Sequence, residues 1–479
     1  MNNSRLISLL GISTLRAAPR DVHLLYLSRF LRTAAFGSTG VILAVFLSGL
    51  GHSDVRVGLF MTLTLVGDVF LSLVLTNWAD HFGRRRTTIL GCSLMITSGL
   101  VFAIASNYWI LLAAAVLGVI SPSGNEIGPF RAVEEGMLAC LSANYDMSDI
   151  FAWHIVAGTL GVSFGTFSTG WITAIFQKPV GWTEQESYRV IFIVYTIIGI
   201  IKLLVALKLS NASEVSRPTV ERQQDAEQEE AQPMLQSEET SVAKGPGPTA
   251  LMRAVRIFVP ELTAPTRSIL WKLCLLFAID SFASGMVAFT LLSFYLHSRF
   301  QAPMSLLSSL LAIPFIFSAA SSLLASPISK RLGLLPTMAL THLPSAILLG
   351  FLPLAPTIEL ACVLLILRAA LSTMDQGPRA VFLSQVVRPE ERTKVMGVVN
   401  TIKTLSQSAG PTVTGSMAQA GNFGAVFVIG GVLKAGYDLA LVGLWLSRRA
   451  LAEHDDIVLP NVNDNLAENE GESDGTSRV

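Results

Sequence analysis

Charge is what this sequence has least of. Asp, Glu, Lys and Arg make up only 14% of its 479 residues, where a soluble domain carries about 25%. Hydrophobic residues reach 51% and the mean hydropathy is +0.55. A surface this poor in charge faces lipid. Lys+Arg and Asp+Glu are both 34, so there is no excess of either sign to attract an oppositely charged partner. No basic patch is interleaved with aromatics, which excludes nucleic acid. Cysteine is also scarce. Cys92, Cys140, Cys274 and Cys362 lie far apart, mostly in apolar runs, without the spacing of a metal site or a disulfide framework. They read as small apolar core residues. There is no Walker sequence, no H-E-x-x-H and no G-x-S-x-G, so neither ATP nor hydrolytic chemistry drives the protein. An enzyme, a metal and a cofactor are not expected.

A cleavable signal is missing too. Residues 1–22 carry Arg5, Arg16 and Arg20 around a short, broken apolar stretch. The sequons beginning at Asn2 and Asn211 fall on the side expected to be cytoplasmic, where they are inert.

What the chain has in abundance is long apolar runs. A helix needs about 20 residues to cross the hydrocarbon. Runs of that kind recur at 23–48, 57–77, 87–105, 108–131, 149–175, 189–210, 268–295, 305–326, 334–355, 357–379, 394–418 and 424–447. They predict an all-α membrane protein of twelve transmembrane helices. With the N-terminus inside, one set of flanks holds Arg5, Arg16, Arg20, Arg84, Arg85, Arg86, Lys330, Arg331, Arg388, Arg392, Lys394, Arg448 and Arg449, while the other holds only Arg56, Lys178, Arg189 and Arg299. Short loops rich in Lys and Arg stay cytoplasmic, so both termini are expected there, in a plasma-membrane protein. Two segments break the apolar pattern. Residues 211–267 contain a Glu/Gln-rich stretch and then Gly245-Pro246-Gly247-Pro248; they cannot bury a core and read as a disordered linker. Within them, residues 251–258 read either as a short interfacial helix or as an extension of the linker. Residues 448–479 read as an acidic cytoplasmic tail.

The stretches on either side of the linker repeat each other. Glu126-Ile127-Gly128-Pro129-Phe130-Arg131 corresponds to Asp375-Gln376-Gly377-Pro378-Arg379 with one residue deleted, Gly165 and Gly170 to Gly410 and Gly415, and Arg32 with Gly37 to Asp280 with Gly285. Three matches in order, at an offset of about 248, imply two six-helix bundles of one fold, 23–210 and 268–447. Two such bundles can rock about a site between them.

The loop after the second span reads Thr76-Asn77-Trp78-Ala79-Asp80-His81-Phe82-Gly83-Arg84-Arg85-Arg86. It resembles the signature G-x-x-x-D-x-x-G-R-[KR] of the major facilitator superfamily: Asp80, Gly83, Arg84 and Arg85 match, and Thr76 replaces the leading glycine. The corresponding loop of the second half, 327–333, lacks the acid. The resemblance covers the chain apart from linker and tails. It implies alternating access, with helices one, four, seven and ten lining a central path and two, five, eight and eleven at the bundle interface. Two motifs of the family depart. The middle of the fourth span holds Val119 and Ile120 where proton-coupled members often carry arginine, while Arg368 lies in the tenth. The drug-antiporter motif of the fifth span has Thr166 in place of proline.

An ionisable side chain inside a span costs roughly 2.5–3.5 kcal/mol at mid-helix on insertion scales. Arg32, Asp68, Lys202, Asp280, Arg368, Lys403, Lys434 and Asp438 sit near mid-membrane; Arg29 is shallower and can snorkel. On the family's pattern, Arg32, Asp280 and Arg368 face the path, with Asp68 and Lys403 near it. These five are the candidates for contact with solute or proton; a fixed ion-pair network is the competing reading. Lys434 and Asp438, spaced i and i+4, are expected to pair with each other, and Lys202 to be structural. Asp80, Gly83, Arg84, Arg85, Glu126, Arg131, Asp375 and Arg379 are the candidates for a conformational gate.

The function expected is secondary transport of a small solute, coupled to protons, with a lean to an anionic or carboxylated solute from the excess of buried basic groups. Drug or metabolite efflux by proton antiport and a non-transporting sensor on the same fold are the alternatives. The partners expected are the solute, protons and the bilayer, for a monomer. A tag inserted in residues 211–267 should be digested only from the face that bears the termini of the chain in sealed vesicles; digestion from the opposite face alone would invert the topology.

Overall fold

The computed structural model describes residues 12–118, 120, 129–142, 147–177, 181–210, 264–376, 378–379 and 392–454. The expected linker 211–267 lies outside them as far as residue 263, and the tail beyond residue 454. Among the described residues the ordered elements are helices: α1 (Ile12–Ala17), α2 (Arg20–Gly49), α3 (Asp54–Phe82), α4 (Arg84–Ile104), α5 (Tyr108–Leu117), α6 (Pro129–Leu141), α7 (Met147–Gln177), α8 (Glu184–Leu207), α9 (Ala264–Met286), α10 (Phe289–Phe300), α11 (Met304–Leu332), α12 (Leu334–Phe351), α13 (Ile358–Ser372), α14 (Arg392–Gln419) and α15 (Ala425–His454). Nine stretches of these are long and apolar enough to cross a membrane. The chain is a twelve-span protein of two six-helix bundles.

Four spans differ most from the sequence expectation. The helix of the tenth ends at Ser372, seven residues before the predicted 379. The fourth is two helices, α5 and α6, and α6 runs to Leu141, ten residues past the predicted end. Gly118 caps α5 and Pro129 opens α6, a position where proline's missing N–H costs nothing. The seventh span is broken between Met286 and Phe289, and Thr414 Oγ1 on α14 donates to the Met286 carbonyl at 2.7 Å, satisfying an acceptor at the break. The twelfth continues to His454, past the predicted 447.

The repeat is visible bond by bond. A Cβ on Gly37 of α2 would meet the Val162 carbonyl oxygen of α7 at 2.3 Å, and one on Gly285 of α9 would meet the Gln407 carbonyl oxygen of α14 at 2.0 Å. Beside each contact a threonine crosses between the same helices: Thr169 Oγ1 donates to the Ser38 carbonyl at 3.2 Å, and Thr414 Oγ1 to that of Met286. In lipid, where tails are as apolar as leucine, helices associate through such close packing at small residues. The short turns repeat as well. Gly83 joins α3 to α4 with φ +97°, and Gly333 joins α11 to α12 with φ +88°, the region that glycine alone enters freely. The signature glycine is therefore matched in the second half although the acid is not.

The helices define two faces. The terminal face holds the start of α2 and the end of α15; the distal face holds the turns at 50–53, 301–303 and 420–424. At the distal face one apolar core runs through both bundles, from Phe46, Phe60, Phe102 and Phe192 to Leu292, Leu307, Leu349 and Phe427. At the terminal face each bundle keeps a separate core: Val22, Leu25, Met137 and Ile150 in the first, Leu273, Phe277, Val399 and Leu441 in the second. Among the described residues four hydrogen bonds cross between bundles: Ser163 Oγ to Ala312 O at 2.8 Å, Ser293 Oγ to Val41 O at 2.8 Å, and Thr412 N and Oγ1 to Thr62 Oγ1 at 3.2 and 2.7 Å. All lie at mid-depth or on the distal side. The bundles are closed distally.

A methyl group at Gly37 or Gly285 has to push a backbone carbonyl away, an overpacking that costs about 1–3 kcal/mol. Gly37→Ala and Gly285→Ala should each lower the Tm of the purified protein, while Gly436→Ala, where a Cβ meets open space, should not. Equal Tm values across the three variants would refute the seam.

Candidate functional site

Two buried carboxylates organise the charged interior, one per bundle. Glu134 on α6 is fully buried. Arg32 Nη2 of α2 donates to its Oε2 at 2.5 Å, Ser28 Oγ donates to Oε1 at 3.0 Å, and Lys202 Nζ of α8 lies 3.3 Å from Oε1. Asp280 on α9 is 4% exposed. It accepts from Lys434 Nζ of α15 at 2.7 Å and from Arg379 Nη1 at 2.9 Å, and His342 Nε2 of α12 stands 3.7 Å away. Each hub thus gathers an arginine, a lysine from its bundle's last helix and one acid. The polarity is inverted between halves: helix one supplies the base Arg32, whereas the equivalent helix seven supplies the acid Asp280.

The second hub is the larger. Arg379 also binds Asp375 one turn before it, and stacks over the Tyr437 ring at 5.3 Å. Lys434 donates to Ser284 Oγ at 2.6 Å. His342 Nδ1 faces both Asp438 oxygens, at 2.8 and 2.9 Å. Lys403 Nζ of α14 lies over the Phe277 ring at 5.8 Å. Arg368 on α13 lies within electrostatic reach of Asp280 and keeps a buried Nε without a hydrogen-bond partner.

These contacts revise one sequence expectation. Lys434 does not pair with Asp438; it reaches Asp280 on another helix, and His342 takes Asp438. Arg32 and Asp280 are each bound within their own bundle. Asp375 and Arg379, the gate candidates of the second half, are joined to Asp280 through Arg379. Glu134, Lys434 and His342 as ion partners were missed. Glu134 lay in what read as a loop beyond the fourth span, and its signal was the buried stripe Val133, Met137, Leu138 of α6. Asp68 of α3 is 1% exposed and its Oδ1 has no hydrogen-bond partner.

The signature loop acts inside the first bundle. Arg84 Nη1 donates to the Gly136 carbonyl of α6 at 2.8 Å, and Arg85 Nη2 to the Leu207 carbonyl at the end of α8 at 2.7 Å. A cation there meets the negative end of the helix dipole. Arg131 pairs with Glu135 on its own helix at 2.7 Å. The Asp80 side chain and all of Glu126 lie outside the described residues.

A sequence model of the Major Facilitator Superfamily matches residues 25–276 and 273–458. The chain belongs to the major facilitator superfamily. It is 34% identical over 438 residues to an uncharacterized membrane protein of Saccharomyces cerevisiae, covering 90% of this chain and 95% of that one. The quinolone resistance protein NorA of Staphylococcus aureus is 23% identical over 190 residues, 40% of this chain and 45% of NorA. Among solved structures, the nucleoside transporter NupG aligns with a TM-score of 0.62 at 15% identity, covering 89% of this chain and 99% of NupG. A D-xylose-proton symporter aligns with a TM-score of 0.64 at 16% identity, covering 89% and 96%. At such identities these two show the fold alone. With the family, they establish a membrane transporter architecture.

Removing one member of a buried ion pair strands the other, at about 3–5 kcal/mol. Glu134→Ala strands both Arg32 and Lys202 and should cost that much, read as a lower Tm. Lys434→Met should cost less, because Arg379 still neutralises Asp280. The reverse order would show that Glu134 is not the hub of the first bundle.

Proposed function

We propose that the protein is a secondary active transporter that moves a small anionic or carboxylated solute by alternating access, coupled to protons. The observation that carries this reading is the one-sided seal: a single apolar core joins the bundles distally, and separate cores serve them at the terminal face. Two rigid bodies closed at one end and unshared at the other are the halves of a rocking device. Between them lie more basic than acidic groups. Arg32 and Lys202 face Glu134; Arg368, Arg379, Lys403 and Lys434 face Asp280, Asp375 and Asp438. The orphaned Nε of Arg368 is a donor ready for a carboxylate or phosphate oxygen, and a charge-assisted bond there is about twice as strong as a neutral one. Coupling to protons is supported by the fold shared with a D-xylose-proton symporter and by the buried titratable groups. We place the protein as a monomer in the plasma membrane with the terminal face cytoplasmic.

Efflux of drug-like solutes is the second reading, supported by the partial match to NorA. A stabilisation screen of the purified protein separates the two. Carboxylated or phosphorylated solutes should raise Tm and lose the effect in Arg368→Gln, with KM for uptake raised about tenfold or more, equivalent to about 1.4 kcal/mol. Stabilisation by apolar cations alone, unchanged in Arg368→Gln, would favour efflux. An inward proton gradient should drive uptake in liposomes; indifference to the gradient would remove proton coupling.

A further inference from the structure

Among the described residues six acids are buried. Glu134, Asp280, Asp375 and Asp438 each have a basic partner within 3.3 Å, and Asp21, at the terminal end of α2, accepts from Ser210. Asp68 has no such partner among them. It is 1% exposed on α3, and its Oδ1 is sealed from solvent without a donor. The helix is closely packed beside it: a Cβ on the preceding Gly67 would meet Val116 of α5 at 2.4 Å. The titratable group that faces it is Tyr195 of α8, whose hydroxyl donates to the Gly118 carbonyl at 3.5 Å. Arg32 of α2 lies beyond that ring and is bound to Glu134. From α6, Glu134 faces Arg32 and Lys202 and Arg131 pairs with Glu135; from α14, Lys403 lies over Phe277; from α4, Arg84 binds α6 and Cys92 is the buried thiol.

A lone carboxylate in such a place has lost its water and gained nothing in return, and a group in that position neutralises instead. A neutral carboxyl at Asp68 is compatible with the distally closed conformation; a charged one is not. Position makes this consequential. Thr62, which bonds Thr412 across the bundle interface, lies six residues before Asp68 on the same helix, about 9 Å along its axis. When α3 parts from α14 distally, water reaches down that helix toward Asp68.

We propose that Asp68 is the site of the coupled proton: its carboxylate takes a proton from distal water while the bundles are open there, the new O–H bond is kept as they close, and the proton then leaves toward the terminal face with the solute, the carboxylate left behind favouring distal opening again. This rests on the reading that a proton moves with the solute. It also assigns Asp280, bound on three sides by Lys434, Arg379 and His342, to the fixed scaffold.

The test uses the full chain in lipid nanodiscs and pH alone as the probe. The native cysteines are replaced by serine, and spin labels are placed through Ser53→Cys and Asn422→Cys, on distal turns of opposite bundles. Between about pH 5 and about pH 9, a range in which an ordinary solvated carboxyl is already ionised, the wild-type label distance should lengthen as pH rises. In Asp68→Asn it should stay short throughout, while Asp280→Asn should leave a pH response in place. The infrared band of a protonated carboxyl C=O should fade with distal opening in the wild type and be missing in Asp68→Asn. A pH response in Asp68→Asn equal to wild type overturns the assignment and leaves proton coupling standing. A wild type that ignores pH overturns both. If Asp68→Asn does not fold, Asp68→Glu decides: the carboxyl band and the midpoint of opening should both move, and an unmoved band and midpoint overturn the proposal.

Discussion

The architecture depends on the approach of two pairs of backbones. Helix α2 meets α7 at Gly37, and α9 meets α14 at Gly285, with a side-chain carbon excluded in both places by a carbonyl oxygen of the facing helix. A threonine hydroxyl closes each contact. Nothing stronger is available in lipid, where burying one more leucine gains little over leaving it in the acyl chains. These seams lock spans one to five and seven to eleven into units that move as bodies. The interface between bundles is built differently. It combines a few scattered hydrogen bonds with an apolar core at one end, and such a contact can break and re-form while the seams persist.

The ion hubs obey the same division. Arg32, Lys202 and Glu134 lie within the first bundle; Asp280, Lys434, Arg379, His342 and Asp438 within the second. Buried pairs of this kind add little stability over well-packed apolar residues, yet are costly to break singly. Their presence on both sides of the interface is more readily explained by what passes between them than by holding the fold. Each hub keeps more base than acid within reach. The opposite charges of Arg32 and Asp280 at equivalent positions show how a duplicated unit diverges: each is bridged to other helices of its own bundle, through partners that the repeat does not align.

Much of this was legible in the sequence because a bilayer imposes its own ruler. Spans follow from runs of about 20 apolar residues, and the two-fold plan from the Gly-Pro and glycine matches, whose partners Gly37 and Gly285 prove to be the contact points themselves. What stayed hidden was pairing between helices. The i and i+4 spacing of Lys434 and Asp438 pointed to each other, but a lysine stem is long enough to leave its own helix, and Asp280 offered the better partner. Glu134 was passed over because the apolar run of the fourth span was ended at residue 131, which left Glu134 in what read as the following loop. A span broken and resumed has the local pattern of a loop.

That break carries its own consequence. Membrane backbone leaves its helical hydrogen bonds only where protein covers the freed groups. Here the Gly118 carbonyl is covered by the Tyr195 hydroxyl, and the next helix over carries Asp68. The unpartnered acid, the buried phenol and the interrupted span therefore sit together in the first bundle. The second bundle has no such vacancy at its hub, where every described acid is matched by a base. An asymmetric pair of bundles can divide two tasks: the bundle with matched charges presents a constant field to the solute, and the bundle with the unmatched acid changes its charge with the conformation. Coupling then requires no contact between proton and solute, because both act on the same distal closure.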